Sequence, residues 1–307
     1  MFLPVILSAG CAYIGNPKPP TLDIPTRVND LRAAEFGGSI LVQFTVPPLT
    51  TEGLALTGVR QVEVQAAAGP DRKSYPVPPN AKGPGVYSYQ FAAQDWIGKQ
   101  IAVTVRATGP KGQASEWSNP AALAVKPPLG APAGVEAMSV PQGVRLAWQA
   151  SAARYRIFRG AGDATPSPLA ETDKTEFIDA MADFDAPYKY FVQAFDGPVY
   201  MSRASDTVAI TPHDTFPPAE PAGVTGVAGV GAIELAWQRN TEDDFAGYYV
   251  YRSAGGGDFE RIAGLLDAPT YSDRMVEAGK KYSYAVSAVD KAGNESARSM
   301  PVDVAAQ

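Results

Sequence analysis

Alternating apolar and polar residues mark the strands of this chain most clearly near its C-terminus. The segment "KKYSYAVSAVDKAGNES" (280–296) places apolar side chains at every second position, at Tyr282, Tyr284, Val286 and Ala288. It then breaks into Asp-Lys-Ala-Gly-Asn. A period of two predicts a strand with one buried face, and the break predicts a tight turn. A similar phrase, "PYKYFVQAFDG", occurs at 187–197, which indicates that a structural unit is repeated.

Two proline-rich connectors, at 126–134 and 212–223, separate the copies of this unit. After each connector the same predicted strands follow in the same order. Trp148 and Trp237 end the matching second strands, 89 positions apart, and Tyr188 and Tyr282 begin the matching tyrosine-rich strands, 94 positions apart. A repeat of about 90 residues has the size of a seven-stranded sandwich.

The repeated segments resemble fibronectin type III domains. The third copy is the clearer match, through Trp237, "DDFAGYYVYRS" (243–253) and the tyrosine phrase that begins the next strand. The resemblance implies that Trp148 and Trp237 belong to the scaffold. It also implies that Tyr188 and Tyr282 are tyrosine corners, whose hydroxyls bond to the backbone just upstream.

An earlier segment is a looser third copy, with Phe44 in place of the tryptophan and Ile101 in place of the tyrosine. Its "SEWS" (115–118) is similar to the tryptophan-serine box of cytokine receptor domains and is expected to pack along the last strand.

The predicted fold class is therefore all-β, with three tandem immunoglobulin-like antiparallel sandwiches. We expect a divergent fibronectin type III-like domain at 25–126 and two such domains at 130–212 and 220–307. A lipoprotein signal-like segment at 1–11 and a tether at 12–24 precede them. No helix longer than about two turns is expected, and proline in the connectors is expected to stiffen an end-to-end arrangement.

The segment "MFLPVILSAGC" predicts a lipid anchor at Cys11. It is too short to span a bilayer, which takes about 20 apolar residues, but it resembles the end of a bacterial lipoprotein signal peptide, in which a small-residue box precedes a lipidated cysteine. Ser8 departs from that pattern, and the basic start of a signal peptide is missing. A plain apolar tail is the alternative. Ala12 after the cysteine resembles the outer-membrane type of sorting signal.

Composition excludes several classes of function. The net charge is −6, and no Lys/Arg run is long enough to follow nucleic-acid phosphates. One cysteine and one histidine exclude an intrachain disulfide and Cys/His metal sites. His213 lies in a connector, where a general base lacks rigid support. The acids at 242–244 are consecutive, so they favour a turn over a calcium loop. We expect no enzyme activity, cofactor or metal.

Three phenylalanines of the second domain are the predicted partner-binding residues. If Tyr188, Tyr190, Val192 and Ala194 face the core, Phe191 and Phe195 face outward, because side chains alternate along a strand. Phe158 lies outward on the neighbouring strand by the same argument. The third domain offers Ser283, Ala285 and Ser287 at the equivalent outward positions. Contiguous exposed aromatic residues mark interfaces, although a neighbouring domain or loop could also cover them.

The predicted function is that of a cell-envelope lipoprotein, anchored in the membrane through Cys11, whose sandwiches bind a protein or a glycan. Two alternatives stay open: a passive spacer or structural subunit of an envelope assembly, and an accessory portion of a polysaccharide-degrading system. An extracellular location is compatible with each of them.

Overall fold

A computed structural model describes residues 22–78 and 83–307 of the chain. The signal-like segment, the lipidation candidate Cys11 and the tether up to residue 21 lie outside the described residues. In the described part, the helical structure is a single 3-10 turn at Gln94–Trp96. None of the helical structure there is long and apolar enough to cross a membrane.

The first domain contains seven strands in two antiparallel sheets. The strands are β1 (Arg32–Phe36), β2 (Ser39–Val46), β3 (Gln61–Ala68), β4 (Asp71–Val77), β5 (Gly85–Ala92), β6 (Gln100–Thr108) and β7 (Ala121–Ala124). One sheet has the order β1-β2-β5, and the facing sheet has the order β4-β3-β6-β7. Phe44 and Ile101, at the positions of the missing tryptophan and tyrosine, are both buried in the core.

The second domain repeats this plan with eight strands. They are β8 (Ala133–Val140), β9 (Gly143–Gln149), β10 (Tyr155–Ala161), β11 (Ser167–Thr172), β12 (Glu176–Asp179), β13 (Tyr188–Phe195), β14 (Tyr200–Ala204) and β15 (Val208–Ile210). The small sheet has the order β12-β9-β8, and the large sheet contains β11-β10-β13, with both β14 and β15 paired to β13.

Like the first domain, the third domain has seven strands, divided into sheets of three and four. They are β16 (Thr225–Gly229), β17 (Ala232–Ala236), β18 (Phe245–Ala254), β19 (Glu260–Arg261), β20 (Thr270–Asp273), β21 (Lys281–Asp290) and β22 (Val302–Ala305). The sheets have the orders β16-β17-β20 and β19-β18-β21-β22. The predicted fold class, three tandem antiparallel sandwiches, is confirmed.

Each domain has a hydrophobic core of its own. The three clusters run from Val28 to Val125, from Val144 to Ala194 and from Ile233 to Ala306. The inward sides of the tyrosine-rich strands are buried as the alternation predicts: Tyr188, Tyr190, Val192, Ala194, Tyr282, Tyr284, Val286 and Ala288. Alternation therefore identified the core face of both strands correctly.

In every domain, a pair of serine hydroxyls accepts hydrogen bonds from the backbone of one long strand, β6, β13 or β21. In the third domain, the backbone N–H of Ala288 donates to Ser296 Oγ (2.9 Å) and that of Val286 donates to Ser299 Oγ (3.1 Å). Ser115 and Ser118 accept from the first domain's β6, and Ser202 and Ser205 accept from β13, in the same way. The hydroxyls thus satisfy backbone donors that an irregular neighbouring segment would leave unpaired.

The first and second domains are joined by strand pairing, in addition to the connector. β1 and β14 run parallel, with Glu35 N donating to Val199 O (2.6 Å) and Gly37 N donating to Met201 O (2.9 Å). This seam links the three-stranded sheet of the first domain and the five-stranded sheet of the second domain into one eight-stranded sheet. Gly37 has φ +53°, and a Cβ there would lie 2.3 Å from Cγ of Arg203, so the seam requires glycine.

The connector between the second and third domains is hydrogen-bonded at both ends. Toward the second domain, Asp185 N donates to Pro212 O (2.7 Å). Toward the third, Ala219 N donates to Glu242 Oε1 (2.8 Å), and Asn294 Nδ2 donates to Asp214 O (3.2 Å). These bonds fix the path of the connector in addition to its prolines.

Candidate functional site: the outer face of the second domain

Two neighbouring strands carry an aromatic pair on the outer face of the second domain. β10 and β13 are antiparallel, and their register places Phe158 directly opposite Phe191. The ring centroids are 4.4 Å apart, and the ring planes are inclined by 15°. Both side chains are half-buried. The structure therefore brings two of the three predicted partner-binding residues together as a stacked, partly accessible pair.

The expectation that Phe195 is exposed is wrong. Only 5% of this residue is accessible, because the guanidinium groups of Arg154 and Arg156 lie 4.6 Å and 5.0 Å from its ring centroid. Glu171 on β11 holds both arginines, at 2.6 Å from Arg156 Nη2 and 3.1 Å from Arg154 Nη2. The two arginines and Glu171 thus cover the Phe195 ring, and they add charged groups to the same face.

Arginine over an aromatic ring recurs on the corresponding sheet of the other domains. In the first domain, Arg106 lies 4.5 Å from the Trp117 ring and binds Glu63 (2.7 Å). In the third, Arg261 lies over Tyr249 and Arg298 over Tyr251, at 4.4 Å and 3.9 Å. In the second domain, the guanidinium groups of Arg154 and Arg156 lie over Phe195, and the half-buried Phe158–Phe191 pair lies on the same face.

The third domain's outer positions are covered as well. Ala285 is 2% accessible and Ser287 is 0% accessible, although alternation places both on the outer face. Glu295 accepts hydrogen bonds from the hydroxyls of Ser287 (2.6 Å) and Tyr251 (2.5 Å). Burial, followed by the bond to Glu295, raises the pKa of Tyr251. This face is closed by polar contacts, so the open ring pair of the second domain is the better candidate for binding.

The predicted scaffold residues make repeated contacts. Trp148 and Trp237 meet Tyr155 and Tyr248 edge-on, with ring centroids 5.4 Å and 5.2 Å apart. The hydroxyls of Tyr188 and Tyr282 accept from the backbone N–H groups of Asp183 and Glu277, each at 3.0 Å and five residues upstream. This is the contact that the tyrosine-corner interpretation requires.

Sequence reasoning missed a buried carboxylate that recurs in the second and third domains. Asp179 accepts from Tyr190 Oη (2.8 Å) and Arg159 Nη1 (2.9 Å). Asp273 accepts from Tyr284 Oη (2.8 Å) and Arg252 Nη1 (2.9 Å). Burial, followed by the hydrogen bond to the aspartate, raises the pKa of Tyr190 and of Tyr284. The available signal was that both aspartates end matching short strands, β12 and β20.

The residues of the acidic loop at 242–244 make two different kinds of contact. Glu242 binds the connector, whereas Asp244 lies near Asp214 and Asp290, each contributing an oxygen to a group spanning at most 4.8 Å. Asp290 is buried, and both of its oxygens accept from Asn294 at 2.8 Å. Calcium takes six to eight oxygens, whereas one oxygen from each of these three side chains lies in the group. The oxygens of Asp290 and Asp214 accept hydrogen bonds from Asn294, which serve the joint.

His213 is tied to the second domain. Its Nδ1 lies 2.7 Å from Asp185 Oδ1, and its backbone N–H donates to Ser139 Oγ (3.2 Å). The ring and the carboxylate are both largely exposed. The contact to the serine hydroxyl runs from the backbone, whereas activation of a nucleophile requires a ring nitrogen. The histidine thus helps to hold the start of the connector.

Similarity to curated proteins covers stretches of one or two domains. The chain is 40% identical over 89 residues to an amylopullulanase of Thermoanaerobacterium saccharolyticum and 32% identical over 158 residues to exoglucanase B of Cellulomonas fimi. It is 28% identical over 173 residues to chitinase A1 of Niallia circulans. These matches cover 29%, 49% and 52% of this chain but only 7%, 14% and 23% of the relatives. No protein-family model matches the sequence.

Solved structures similar to this chain include fibronectin type III proteins. A two-domain segment of chicken tenascin matches 57% of this chain at 18% identity, with 99% of that segment covered and a TM-score of 0.40. An Fn3-like protein from Clostridium thermocellum matches 30% of this chain at 30% identity, with 96% covered and a TM-score of 0.27. Because both TM-scores are low, the fold assignment rests on the pairing of the strands. Each domain is an immunoglobulin-like sandwich of the fibronectin type III kind.

Proposed function

We propose that this chain is a non-catalytic accessory protein of polysaccharide breakdown, which binds a polysaccharide through the outer face of its second domain. The observation that carries the proposal is the similarity, over one or two domain lengths, to an amylopullulanase, an exoglucanase and a chitinase. These enzymes are named for different glucans and for chitin. What they share with this chain is thus a module that fits many polysaccharide systems.

The geometry of the outer face supports a sugar ligand. A sugar ring offers an apolar C–H face and a rim of hydroxyls. The half-buried Phe158–Phe191 pair supplies partly accessible ring surface, and Arg156 and Glu171 supply polar groups on the same face. Sites of this kind combine aromatic surface with a few placed polar groups. Arginine and aromatic residues are also enriched at interfaces.

The proposed location is the cell envelope, with Cys11 as a lipid anchor, or the extracellular space. If the anchor is correct, the chain expressed in a bacterium with its native upstream sequence partitions into detergent, and the Cys11→Ser variant does not. Several acyl chains hold a protein at a membrane far more firmly than one. Equal partitioning of both proteins into the aqueous phase would refute the anchor while leaving polysaccharide binding intact.

A spacer role is the second candidate, and the joints favour it. The first joint is bridged by strand pairing and the second by hydrogen bonds at both ends of the connector. Such joints would hold the outer domains at a set separation. A spacer needs no ligand face, so the two candidates differ in whether changes at the ring pair affect any binding.

Depletion from solution by insoluble chitin, cellulose and starch tests the proposal. The purified chain is expected to bind at least one of them, and Phe158→Ser combined with Phe191→Ser is expected to abolish that binding. Met181→Ser is the control, since Met181 is a 77% exposed apolar residue of the same domain. Wild-type protein that stays in solution with all three polysaccharides, or unaltered binding by the double variant, would contradict the proposal.

A further inference from the structure

Glu35 is a fully buried carboxyl group at the seam between the first and second domains. It lies on β1, directly opposite Tyr200 on β14, and none of its surface is accessible. Oε2 accepts from the backbone N–H of Lys126 (3.1 Å). Oε1 is buried without a hydrogen-bond partner among the described residues. A carboxylate buried with one oxygen unsatisfied destabilises the arrangement that buries it.

The charged groups around Glu35 compensate it only in part. Lys126 is the nearby cation, and its Nζ is already held by Asp196 of the second domain (2.7 Å), 5.2 Å from the Tyr200 ring centroid. Asp196 carries the same charge as ionised Glu35. Burial raises the pKa of Glu35 from its ordinary 4.5 against the opposing influence of Lys126. Burial and then the charge of Glu35 raise the pKa of Tyr200.

We propose that Glu35 is a protonation-controlled lock between the first two domains: β1 stays docked on β14 while the carboxyl is neutral, and the seam loosens when it is ionised. Opening the seam returns the carboxylate to water, which removes the cost of the unsatisfied oxygen. The parallel pairing through Glu35 N and Gly37 N is the element that opens.

The direction of the pH dependence follows from linkage. The docked seam raises the pKa of Glu35, so between the open and docked pKa values the docked state holds more protons. Docking is therefore strongest below about pH 4.5, the ordinary pKa, and weakens as the pH rises through the raised value. Each pKa unit of the shift corresponds to about a tenfold change in the docking equilibrium.

The second joint provides an internal comparison. Its buried carboxylate, Asp290, has both oxygens bonded to Asn294. It therefore lacks the unsatisfied oxygen that makes the first seam sensitive to ionisation.

Hydrogen exchange of the full chain tests the lock. After correction for intrinsic exchange, the protection of the Glu35 and Gly37 amides is expected to fall about tenfold per unit of pKa shift between pH 4.5 and 7.5. The reference is the Ser118 amide, which donates to Val105 O inside the first domain. Glu35→Gln should abolish this pH dependence and keep the seam closed. Glu116→Gln, at an exposed position of the same domain, should behave as wild type.

Two results would overturn the proposal: seam protection that is constant or rises with pH in the wild type, or the same pH profile in wild type and Glu35→Gln. Should the glutamine variant fail to fold, the wild-type ratio of seam to Ser118 protection decides the matter by itself. Both comparisons use amides whose acceptors are defined in the structure.

Discussion

In the second and third domains, single residues bind the two sheets of the sandwich through contacts that sequence patterns do not mark. Asp179 and Asp273 each collect a tyrosine hydroxyl and an arginine from the opposite strands of the core. An aspartate at the end of a strand also fits an ordinary turn, so sequence alone could not distinguish the two roles. The same limit explains Phe195: alternation gives the face a side chain occupies but not what lies over that face.

The Tyr284→Phe variant tests how much the buried Asp273 stabilises the third domain. The change removes the hydrogen bond from the tyrosine hydroxyl to the charged Asp273, which is expected to lower the free energy of unfolding of this domain by about 1.5–3 kcal/mol. Native-state hydrogen exchange of the β21 amides reports that domain separately. Tyr249→Phe is the matched control, because Tyr249 lies half-buried beneath Arg261. Equal effects of the two changes would show that the bond to Asp273 contributes little.

The sequence predicts those strands in which apolar and polar residues alternate regularly, and it does not predict the strands that lack this alternation. The alternation over the two tyrosine-rich phrases predicts β13 and β21. The irregular segments before the last strands have no period. The signal present there is a serine pair spaced three residues apart in all three copies, and only "SEWS" resembles a known motif.

The Ser299→Ala variant tests the serine pair. It leaves the buried Val286 N–H without its acceptor, which is expected to cost about 1–3 kcal/mol. The Val286 amide should then exchange faster than its β21 neighbours. Ser283→Ala, whose hydroxyl instead donates to exposed Asp303, should leave Val286 exchange unchanged. Unaltered exchange in Ser299→Ala would mean that another acceptor replaces the hydroxyl.

At the scale of the whole molecule, the repeat predicted the number and kind of domains but not how they join. The 89-residue spacing of Trp148 and Trp237 depends on local strand order, which the sequence carries directly. The parallel pairing of β1 with β14 depends on the path of a short connector and on Gly37 fitting against Arg203. No periodicity marks such a contact, because its two strands belong to different domains.

Which residues of the proposed binding face are covered can be seen only in the folded structure. Sequence placed Phe158, Phe191 and Phe195 on one side, and the structure leaves the first two as accessible ring surface and covers the third with Arg154 and Arg156. We expect a polysaccharide ligand on this face alone, although all three domains share one plan. The other two faces carry arginine over their rings.

Backbone NMR titration of the full chain with soluble chito-, cello- and malto-oligosaccharides tests whether polysaccharide binds at the Phe158–Phe191 pair. We expect at least one series to shift the amide resonances of β10 and β13 around this pair, with the other two domains unaffected. Shifts centred on the first or third domain, or no shifts with any of the three series, would contradict it.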